Sequence, residues 1–419
     1  MINRTLAPTI TSINEISFTA PKIIPLNQYV NLFWMSEIYD ETTRIELHFD
    51  AGTIRSEEKV AGFVNSLLLS GTATKNSTTI NNELDSLGVF TDIEIGQEIA
   101  IVSIYCLRKN VEKAFSIVLD AITNVSFHAH EIEDIVREKK QNFLIGSEKV
   151  SILARREFQS CIFNNSAAYS RQLKLEDFEN LTKEALISFH KEHYLHGLVK
   201  VVVVSRLENE QIDTMVGELK KMCVTSLPKF ENEFINKKGR IDINKEGAMQ
   251  TAIRIGMPLF NKKNPDFIDF QILQTILGDY FGSRLMSNIR EDKGYTYGIG
   301  CGVSETYESG HFIIATEVGK EYVEATLHEI KYEIERLQKE EVDAEELTLV
   351  KNYLLGQLLK SADGPNAMTD LFIGAYNQGK DLTFYQDVIN RINTITSEDL
   401  KLTAEKHLNW ENLTIVTAG

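Results

Sequence analysis

Cysteine is scarce in this chain: four residues, Cys106, Cys161, Cys223 and Cys301, are scattered over 419 positions. Disulfide frameworks need cysteines at paired spacings, which this sequence lacks, so we expect reduced, buried thiols in a cytoplasmic protein. The segment that follows Met1 also lacks the basic start and apolar centre of a secretion signal. Both absences favour a cytoplasmic location.

Long apolar runs and an excess of positive charge are lacking as well. No stretch approaches the roughly 20 consecutive apolar residues that cross a bilayer as a helix. The 44 lysines and arginines are outnumbered by 60 aspartates and glutamates, which gives a net charge of -16. Because nucleic acids and anionic membranes attract basic surfaces, the composition predicts neither of them as a partner.

An internal repeat is the main feature that the sequence does contain. A strand, two helices, two strands and a further helix follow one another twice, at an offset of about 210 residues. The first copy begins at the strand Arg44 to Phe49 and the second at the strand Ile253 to Met257. In the second copy, Asn264 followed by Pro265 predicts the start of the first helix. This order predicts the α+β class, with two homologous sandwich domains in which helices cover one face of an antiparallel sheet.

The domain boundaries follow from the repeat. A chain of 419 residues is too long for a single core. Residues 1–226 are predicted to form the N-terminal domain and residues 241–419 the C-terminal domain. The polar residues 227–240, which interrupt the pattern, are predicted to be the linker.

Arg290 and Tyr297, which stand seven positions apart, are the residues most typical of a substrate site. Leu285 to Arg290 has the pattern of a helix end, and Gly294 has that of its left-handed stop. A strand is predicted to start at Tyr295, and it would place Tyr295 and Tyr297 on one face. Either residue alone is more typical of a helix-end cation or a half-buried aromatic, so the interpretation depends on the whole segment.

Together with Gly282 to Leu285 upstream, this segment closely resembles the C-terminal half of the pitrilysin and mitochondrial processing peptidase family, the inverted zinc peptidases. The resemblance spans nearly the whole chain and implies two domains that form one half of a clamshell. It also implies that Arg290 and Tyr297 are catalytic and substrate-binding residues that hold the peptide carbonyl near the metal.

Members of this family that bind zinc carry His-x-x-Glu-His on a helix of the N-terminal half, with the histidines as ligands and the glutamate as general base. This sequence contains no such motif. Where the resemblance places the motif, the predicted helix has Gly62, Asn65 and Ser66 at the three positions. The resemblance places the third ligand near Gln141 and Asn142, which are neutral amides and poor zinc ligands. We therefore expect this chain to bind no zinc of its own.

Histidines elsewhere offer a weaker alternative metal site. His190 and His193 lie three positions apart with a third histidine nearby, but the segment is more typical of a helix that leads into a core strand. The stretch from His128 to His130 precedes a predicted helix and is expected to be a solvated loop. His48 is expected to point outward on its strand as an ordinary surface residue.

Two functions are compatible with this pattern. In the first, the chain is the non-metal subunit of a heterodimeric zinc peptidase: a zinc-bearing relative supplies the metal and the base, and Arg290 and Tyr297 polarise the carbonyl of an unfolded peptide. In the second, the chain has left catalysis and acts as a peptide-binding or assembly subunit. The retained Arg290 and Tyr297 favour the first. An independent enzyme that uses His190 and His193 would lack a base and a third ligand.

Overall fold

The computed structural model of this chain describes residues 13–57, 59–163, 168–229 and 234–419. Two halves follow one another, and each builds its own sheet and hydrophobic core. The residues just after Met1, considered above as a possible signal segment, lie outside the described residues, as do residues 230–233 of the predicted linker.

The first half begins with three strands and continues with a mixture of helices and strands. Its elements are, in chain order, β1 (Lys22–Pro25), β2 (Asn31–Met35), β3 (Thr42–Phe49), α1 (Ala61–Leu67), α2 (Ser77–Ser86), β4 (Phe90–Ile95), β5 (Ala100–Leu107), α3 (Val111–Thr123), α4 (Ala129–Ser147), α5 (Val150–Ile162), α6 (Lys183–His193), β6 (Leu198–Val204) and α7 (Asn209–Leu219). In the described residues they form a six-stranded sheet in the order β1-β2-β6-β3-β5-β4, in which β2 and β6 are parallel neighbours.

Strand β3 follows the predicted alternation on its inner face. Ile45, Leu47 and Phe49 are fully buried, and Ile45 lies opposite Ile104 of β5. Helix α1 shares a core with this inner face through a stripe at helical spacing, because apolar positions three and four apart share one side of a helix. The stripe residues, all buried, are Val60, Phe63, Val64, Leu67 and Leu68.

The second half repeats this order. Its elements are, in chain order, β7 (Gly239–Ile243), β8 (Gln250–Leu259), α8 (Phe267–Gly278), a π-helical turn (Met286–Asp292), β9 (Ile299–Glu305), β10 (Gly310–Gly319), α9 (Val323–Lys339), α10 (Ala344–Ser361), α11 (Gly364–Tyr376), α12 (Thr383–Thr394), α13 (Ser397–His407) and β11 (Thr414–Ala418). The described residues form a five-stranded sheet in the order β7-β11-β8-β10-β9.

Two local predictions in the second half are wrong. Helix α8 begins at Phe267, two residues later than the predicted start at Pro265, because the Asn264 side chain accepts a hydrogen bond from the Asp266 backbone N–H (2.8 Å) and closes a turn before the helix. Strand β7 begins at Gly239, within the residues predicted as linker, because it pairs in parallel with the distant β11. Its alternation is limited to Ile241 and Ile243, which is too short a pattern to indicate a strand within a polar segment.

The α+β class is confirmed, and helices also cover part of the second face of each sheet. Helix α5, from the first half, packs on β8 and β11 through Phe158 and Cys161. Helix α11, from the second half, packs on β2 and β6 through Phe372 and Ile373. The halves therefore exchange one helix each, which joins them through two separate apolar contacts.

The contact between α11 and the first sheet explains why the surface placement predicted for His48 is wrong. His48 is only 4% exposed, and its Nε2 lies 3.0 Å from a Glu46 carboxylate oxygen. Burial lowers the pKa of His48, so the neutral imidazole is favoured there. Beside it, Arg44 forms a bidentate ion pair with Asp370 of α11, and Lys200 donates a hydrogen bond to Asn377.

The two halves also meet at their hairpin turns. The Glu98 carboxylate, in the turn between β4 and β5, accepts hydrogen bonds from the Tyr307 backbone N–H at 3.0 and 3.1 Å. The Tyr169 hydroxyl donates to the same carboxylate at 2.6 Å. Burial raises the pKa of Glu98 despite these bonds. Two equivalent hairpins of the repeat are thus tied to each other.

Two expectations about composition can be compared with the structure. Cys106, Cys161, Cys223 and Cys301 are all buried and unpaired, as predicted. In the described parts of the chain, no helix combines the length and the apolar character of a membrane span.

Candidate functional site

The segment that carries Arg290 is a π-helical turn rather than the end of a regular helix. Gly294 adopts the left-handed conformation expected of it, with φ of 67°. The strand predicted from Tyr295 is wrong, since β9 begins only at Ile299. Tyr295 instead stacks on Tyr322 of the segment before α9, with ring centroids 4.8 Å apart. Tyr295 and Tyr297 therefore do not share a strand face.

Side-chain hydrogen bonds hold the four residues before β9 in a loop. The Thr296 hydroxyl donates to the carbonyl of Glu317 at 2.8 Å and accepts from the Gly298 N–H at 3.1 Å. The Thr316 hydroxyl donates to the carbonyl of Gly298 at 2.9 Å. These bonds compete with strand pairing for the same backbone groups. The residues from Tyr295 to Gly298 therefore form a loop, although their sequence pattern predicts a strand.

Arg290 is brought to Tyr297 through the backbone of the loop. Its Nε donates to the Tyr297 carbonyl oxygen at 3.1 Å. The guanidinium carbon lies 4.7 Å from the ring centroid of Phe281, and one Nη lies 3.6 Å from a carboxylate oxygen of Glu291. The structure therefore brings the two predicted site residues together, and it adds Phe281, which the sequence interpretation missed.

Both predicted site residues face solvent. Tyr297 is 94% exposed and the Arg290 side chain is 34% exposed. With Nε bonded to the loop, the terminal nitrogens of the guanidinium remain the donors that a ligand can reach. A guanidinium with free terminal N–H groups can donate hydrogen bonds to a carbonyl or a carboxylate oxygen.

A partly buried polar network lies beneath the turn. The Asn288 side-chain amide donates to carboxylates of Glu329 (3.0 Å) and Glu333 (2.9 Å) on α9. Arg284, which is 7% exposed, forms a bidentate pair with Glu346 on α10 at 2.9 and 2.7 Å. These residues line a polar groove of 660 Å³. They fix the turn to two helices and so determine where Arg290 stands.

The sequence contains one signal for this network that periodicity alone could have found. Glu333 is 3% exposed and occupies the apolar face of α9 between Ile330 and Leu337. A carboxylate on a helix face that packs in the core normally has a specific partner, since burial of an unpaired charge is costly. Its partners are Arg336 on the same helix, 3.5 Å away, and Asn288, which lies within the segment that contains Arg290.

The positions that correspond to the zinc motif lie on α1 and do not fit a metal. Asn65 is 3% exposed, and its amide donates to the Glu94 carbonyl and the Tyr194 hydroxyl, both at 3.2 Å. Burial raises the pKa of Tyr194, which keeps its hydroxyl protonated as a partner for Asn65. The Ser66 hydroxyl donates to the Gly62 carbonyl at 3.0 Å within the helix. These groups supply no ligand of the kind that zinc prefers.

The predicted third-ligand positions lie on α4, which packs against α1. Gln141 and Asn142 are both exposed there. One turn earlier, the Lys139 ammonium lies 6.0 Å from the Phe63 ring of α1, and burial lowers the pKa of Lys139. In the described residues, no three histidine, cysteine or carboxylate side chains converge as metal ligands. The residues present on α1 and α4 do not fit a zinc ion.

The histidines of the alternative site lie within hydrogen-bond distance of backbone carbonyl groups. His190 is 5% exposed, and its Nε2 lies 2.7 Å from the Ile122 carbonyl oxygen. The Nδ1 of His193 lies 2.6 Å from the Asp50 carbonyl oxygen. The predicted helix that leads into a core strand is confirmed as α6 and β6.

The loop predicted from His128 to His130 is only partly correct. Helix α4 begins at Ala129, so His130 belongs to its first turn, where its side chain is 69% exposed. His128 precedes the helix, and its Nε2 lies 2.8 Å from the Ser126 hydroxyl and 3.2 Å from the Thr72 carbonyl oxygen. It is therefore anchored rather than free in solvent.

Comparison with protein families gives two matches, one in each half. Residues 34–150 match the model described as Insulinase (Peptidase family M16), and residues 180–354 match the model described as Peptidase M16 inactive domain. The first match contains α1 and the second contains the turn with Arg290. The resemblance inferred from the sequence is confirmed at the level of the family.

Curated relatives and solved structures agree with these matches. An uncharacterized zinc protease of Rickettsia felis is 27% identical over 314 residues, 73% of this chain and 74% of its own length. The uncharacterized zinc protease YmxG of Bacillus subtilis is 19% identical over 356 residues, 81% of this chain and 83% of its own length.

Two solved structures share the fold. A peptidase M16 inactive domain from Pseudomonas fluorescens superposes with a TM-score of 0.86 at 21% identity, over 95% of this chain and 98% of that one. A protease from Helicobacter pylori gives a TM-score of 0.83 at 15% identity, over 96% of this chain and all of that one. At this identity the likeness establishes the fold alone.

Proposed function

Because this chain belongs to the M16 peptidase family, we propose that it is the non-zinc-binding subunit of a heterodimeric peptidase. In this assembly Arg290 and Tyr297 bind the carbonyl group of an unfolded peptide and stabilise the tetrahedral intermediate of its hydrolysis. A zinc-bearing relative supplies the metal and the general base. This chain contributes hydrogen-bond donors.

One observation carries the proposal: the partly exposed Arg290 guanidinium is held from two sides. Its Nε is bonded to the Tyr297 carbonyl and its plane lies beside the Phe281 ring. A surface arginine that served only solubility would have no need of such restraint, since free rotation costs it nothing. Restraint of a donor before substrate arrives is what stabilisation of a developing oxyanion requires.

The magnitude of such a contribution is known from other systems. Removing one preorganised donor from an oxyanion site commonly costs about 10² to 10³ in rate. The donor can belong to either chain, provided that the assembly excludes water and fixes the distance. Division of the site between two subunits is therefore chemically coherent, with Arg290 on the second half of this chain turned toward the metal helix of the partner.

One feature is compatible with the assembly-subunit alternative: the motif position Asn65 is a buried structural residue. The same feature is equally expected of a non-metal subunit in an active pair. The alternatives differ in what they require of Arg290: a purely structural subunit has no use for it.

Mixing experiments test the proposal. This chain and a zinc-bearing M16 relative, ideally the product of an adjacent reading frame, are purified separately and combined at equal concentration with a fluorogenic unfolded peptide. We expect cleavage by the mixture that neither chain gives alone, its loss with chelator and its return with zinc. Formation of a one-to-one complex by sedimentation without any cleavage would favour the assembly alternative instead.

A further inference from the structure

Phe281 is an exposed aromatic residue with an unusual neighbour. It is 63% exposed and lies just after α8, where the chain turns toward the segment that carries Arg290. The guanidinium carbon of Arg290 lies 4.7 Å from its ring centroid. Phe90 provides the comparison: it is 64% exposed, but its ring neighbour is Tyr105, with ring centroids 5.8 Å apart.

The position of Phe281 does not follow from core packing. The residues that pack into the second core on either side of it are Leu277 of α8 and Leu285, both fully buried. Phe281 instead borders a shallow groove of 510 Å³ along β9, the edge strand of the second sheet, together with Met286 and Ile313. An exposed ring at this place gains little from burial, so its contact with Arg290 is the interaction that distinguishes it.

A single hydrogen bond leaves the Arg290 side chain free to turn. The bond from Nε to the Tyr297 carbonyl fixes one atom, and the guanidinium can still rotate about it. Glu291 lies on the same turn, with a carboxylate oxygen 3.6 Å from one Nη, and it would draw the terminal nitrogens toward itself. An aromatic face favours a guanidinium that lies over it, and it therefore limits this rotation.

We propose that Phe281 is a positioning residue that holds the Arg290 guanidinium in the orientation in which its terminal nitrogens face the substrate carbonyl. This inference rests on the proposed function of Arg290. The contact is partly exposed in the isolated chain and becomes desolvated when a partner and a peptide cover it, which strengthens it. Loss of the ring is then expected to slow the chemical step about 5- to 30-fold.

The first experiment uses the chain alone and requires no activity. The chain is labelled with ¹⁵N-arginine, and the Arg290 Nε–H signal is assigned by its disappearance in Arg290→Lys. We expect a ring-current shift that Phe281→Leu abolishes and Phe281→Tyr retains. Phe90→Leu, which removes an equally exposed ring, should leave the signal in place. An unchanged signal in Phe281→Leu would overturn the inference, whether or not Arg290 contributes to catalysis.

The second experiment is a double-mutant cycle in the two-chain peptidase, with single-turnover and steady-state cleavage of an unfolded peptide as the readouts. Phe281→Leu should lower the rate constant about 5- to 30-fold with little change in KM, and Phe281→Tyr should restore most of it. In the Arg290→Ala background, Phe281→Leu should cause no further loss, because the ring acts through the arginine.

The outcomes separate this inference from the function on which it rests. If Arg290→Ala cleaves at the wild-type rate, both the proposed function and the positioning role fail. If Arg290→Ala is impaired but the loss from Phe281→Leu is absent, or adds fully to it, the proposed function stands and Phe281 does not act through Arg290. A loss confined to KM would equally overturn the inference, since it would mean that the ring contacts the peptide itself.

Discussion

Helix α1 and the π-helical turn, the two segments that the family resemblance identifies as functional, use their polar side chains in opposite ways. On α1, Asn65 is 3% exposed and its amide bonds to groups of the same fold. On the turn, Arg290 is partly exposed and bonds to the fold through one atom. The first segment has become part of the structural core, and the second still presents donors to solvent. Changes on α1 should therefore alter stability, and changes on the turn should alter chemistry.

The comparison extends to the repeat. The second helix of the first copy, α2, is a regular helix, and Gly88 follows it in the left-handed conformation with φ of 64°. The equivalent segment of the second copy is the π-helical turn before Gly294. π-Helical turns are rare and occur often at functional sites, because the extra residue in the turn redirects side chains. The widened turn appears in the copy that carries Arg290.

The largest expected effect belongs to Arg290. With a zinc-bearing partner present, Arg290→Ala should lower single-turnover cleavage about 10² to 10³-fold, because it removes the preorganised donor. The free energy of unfolding should change by less than about 0.5 kcal/mol, since the side chain is at the surface. Tyr297→Phe keeps the ring, loses the hydroxyl and should be milder. The measurements are peptide cleavage and urea unfolding.

Arg240→Ala is the matched control for Arg290→Ala. Arg240 lies on β7, at the opposite edge of the same sheet, and its side chain is 35% exposed against 34% for Arg290. It should leave cleavage unchanged. Equal losses of cleavage rate in the two variants would indicate a general effect of surface charge. The distinction between a structural α1 and a chemically active π-helical turn would then be wrong.

Asn65 should show the reverse pattern. Asn65→Ala leaves the buried Tyr194 hydroxyl without this partner and removes a partly buried hydrogen bond to the Glu94 carbonyl, which should cost about 1 to 3 kcal/mol of unfolding free energy. Cleavage per folded heterodimer should stay at the wild-type value. Ser66→Ala, one residue along on the exposed side, should change stability by less than about 0.5 kcal/mol. A loss of cleavage without a loss of stability in Asn65→Ala would restore a catalytic role to α1.

A pH experiment tests the joint between the halves. His311 of β10 lies between the rings of Phe158, on the exchanged helix α5, and Phe163, with ring centroids 6.0 Å away in each case. Burial lowers the pKa of His311 to about 4. In the unfolded chain the imidazole is protonated near pH 6.5, whereas in the folded state it stays neutral to lower pH. The contribution of His311 to the free energy of unfolding is therefore complete above pH 6.5 and declines as the pH falls below it.

The expected size follows from the two pKa values of His311. When the pH is lowered from 8 to 5, the free energy of unfolding should fall by about 2 kcal/mol because of His311. The variant His311→Leu should lack this part of the pH dependence. Urea unfolding at the two pH values measures it. His130→Leu is the control, because His130 is 69% exposed. An identical pH dependence in wild type and His311→Leu would show that the joint is not sensitive to acid.

The sequence predicted the features that depend on local pattern or on family resemblance. The alternation in β3, the apolar stripe of α1 and the left-handed Gly294 were all correct. Each follows from residues within a few positions of one another, where periodicity and backbone preference decide the outcome. The confirmed fold class follows from the order of such elements, and the confirmed family from the resemblance of the segment around Arg290 and Tyr297.

What the sequence did not predict depends on contacts between distant segments. His48 was expected at the surface because its strand alternates, but it is buried on the face of the sheet against which α11 from the other half packs. Tyr295 fits a strand pattern, but its stacking on Tyr322 and the bonds of Thr296 keep the segment in a loop. Phe281 carries no periodic signal, since its neighbour Arg290 is brought close only by the turn.

The smallest expected effect is that of zinc on the chain alone. In the described residues no three candidate ligands converge, and the motif positions hold Gly62, Asn65 and Ser66. A ligand at 100 times its Kd would raise the unfolding free energy by about 2.7 kcal/mol, so even a moderately tight site would be visible in thermal unfolding. We expect no shift in Tm on adding zinc and no stoichiometric zinc by elemental analysis. One zinc per chain that is lost on changing His190 or His193 would contradict this prediction, and the chain would then have to be considered as an enzyme in its own right.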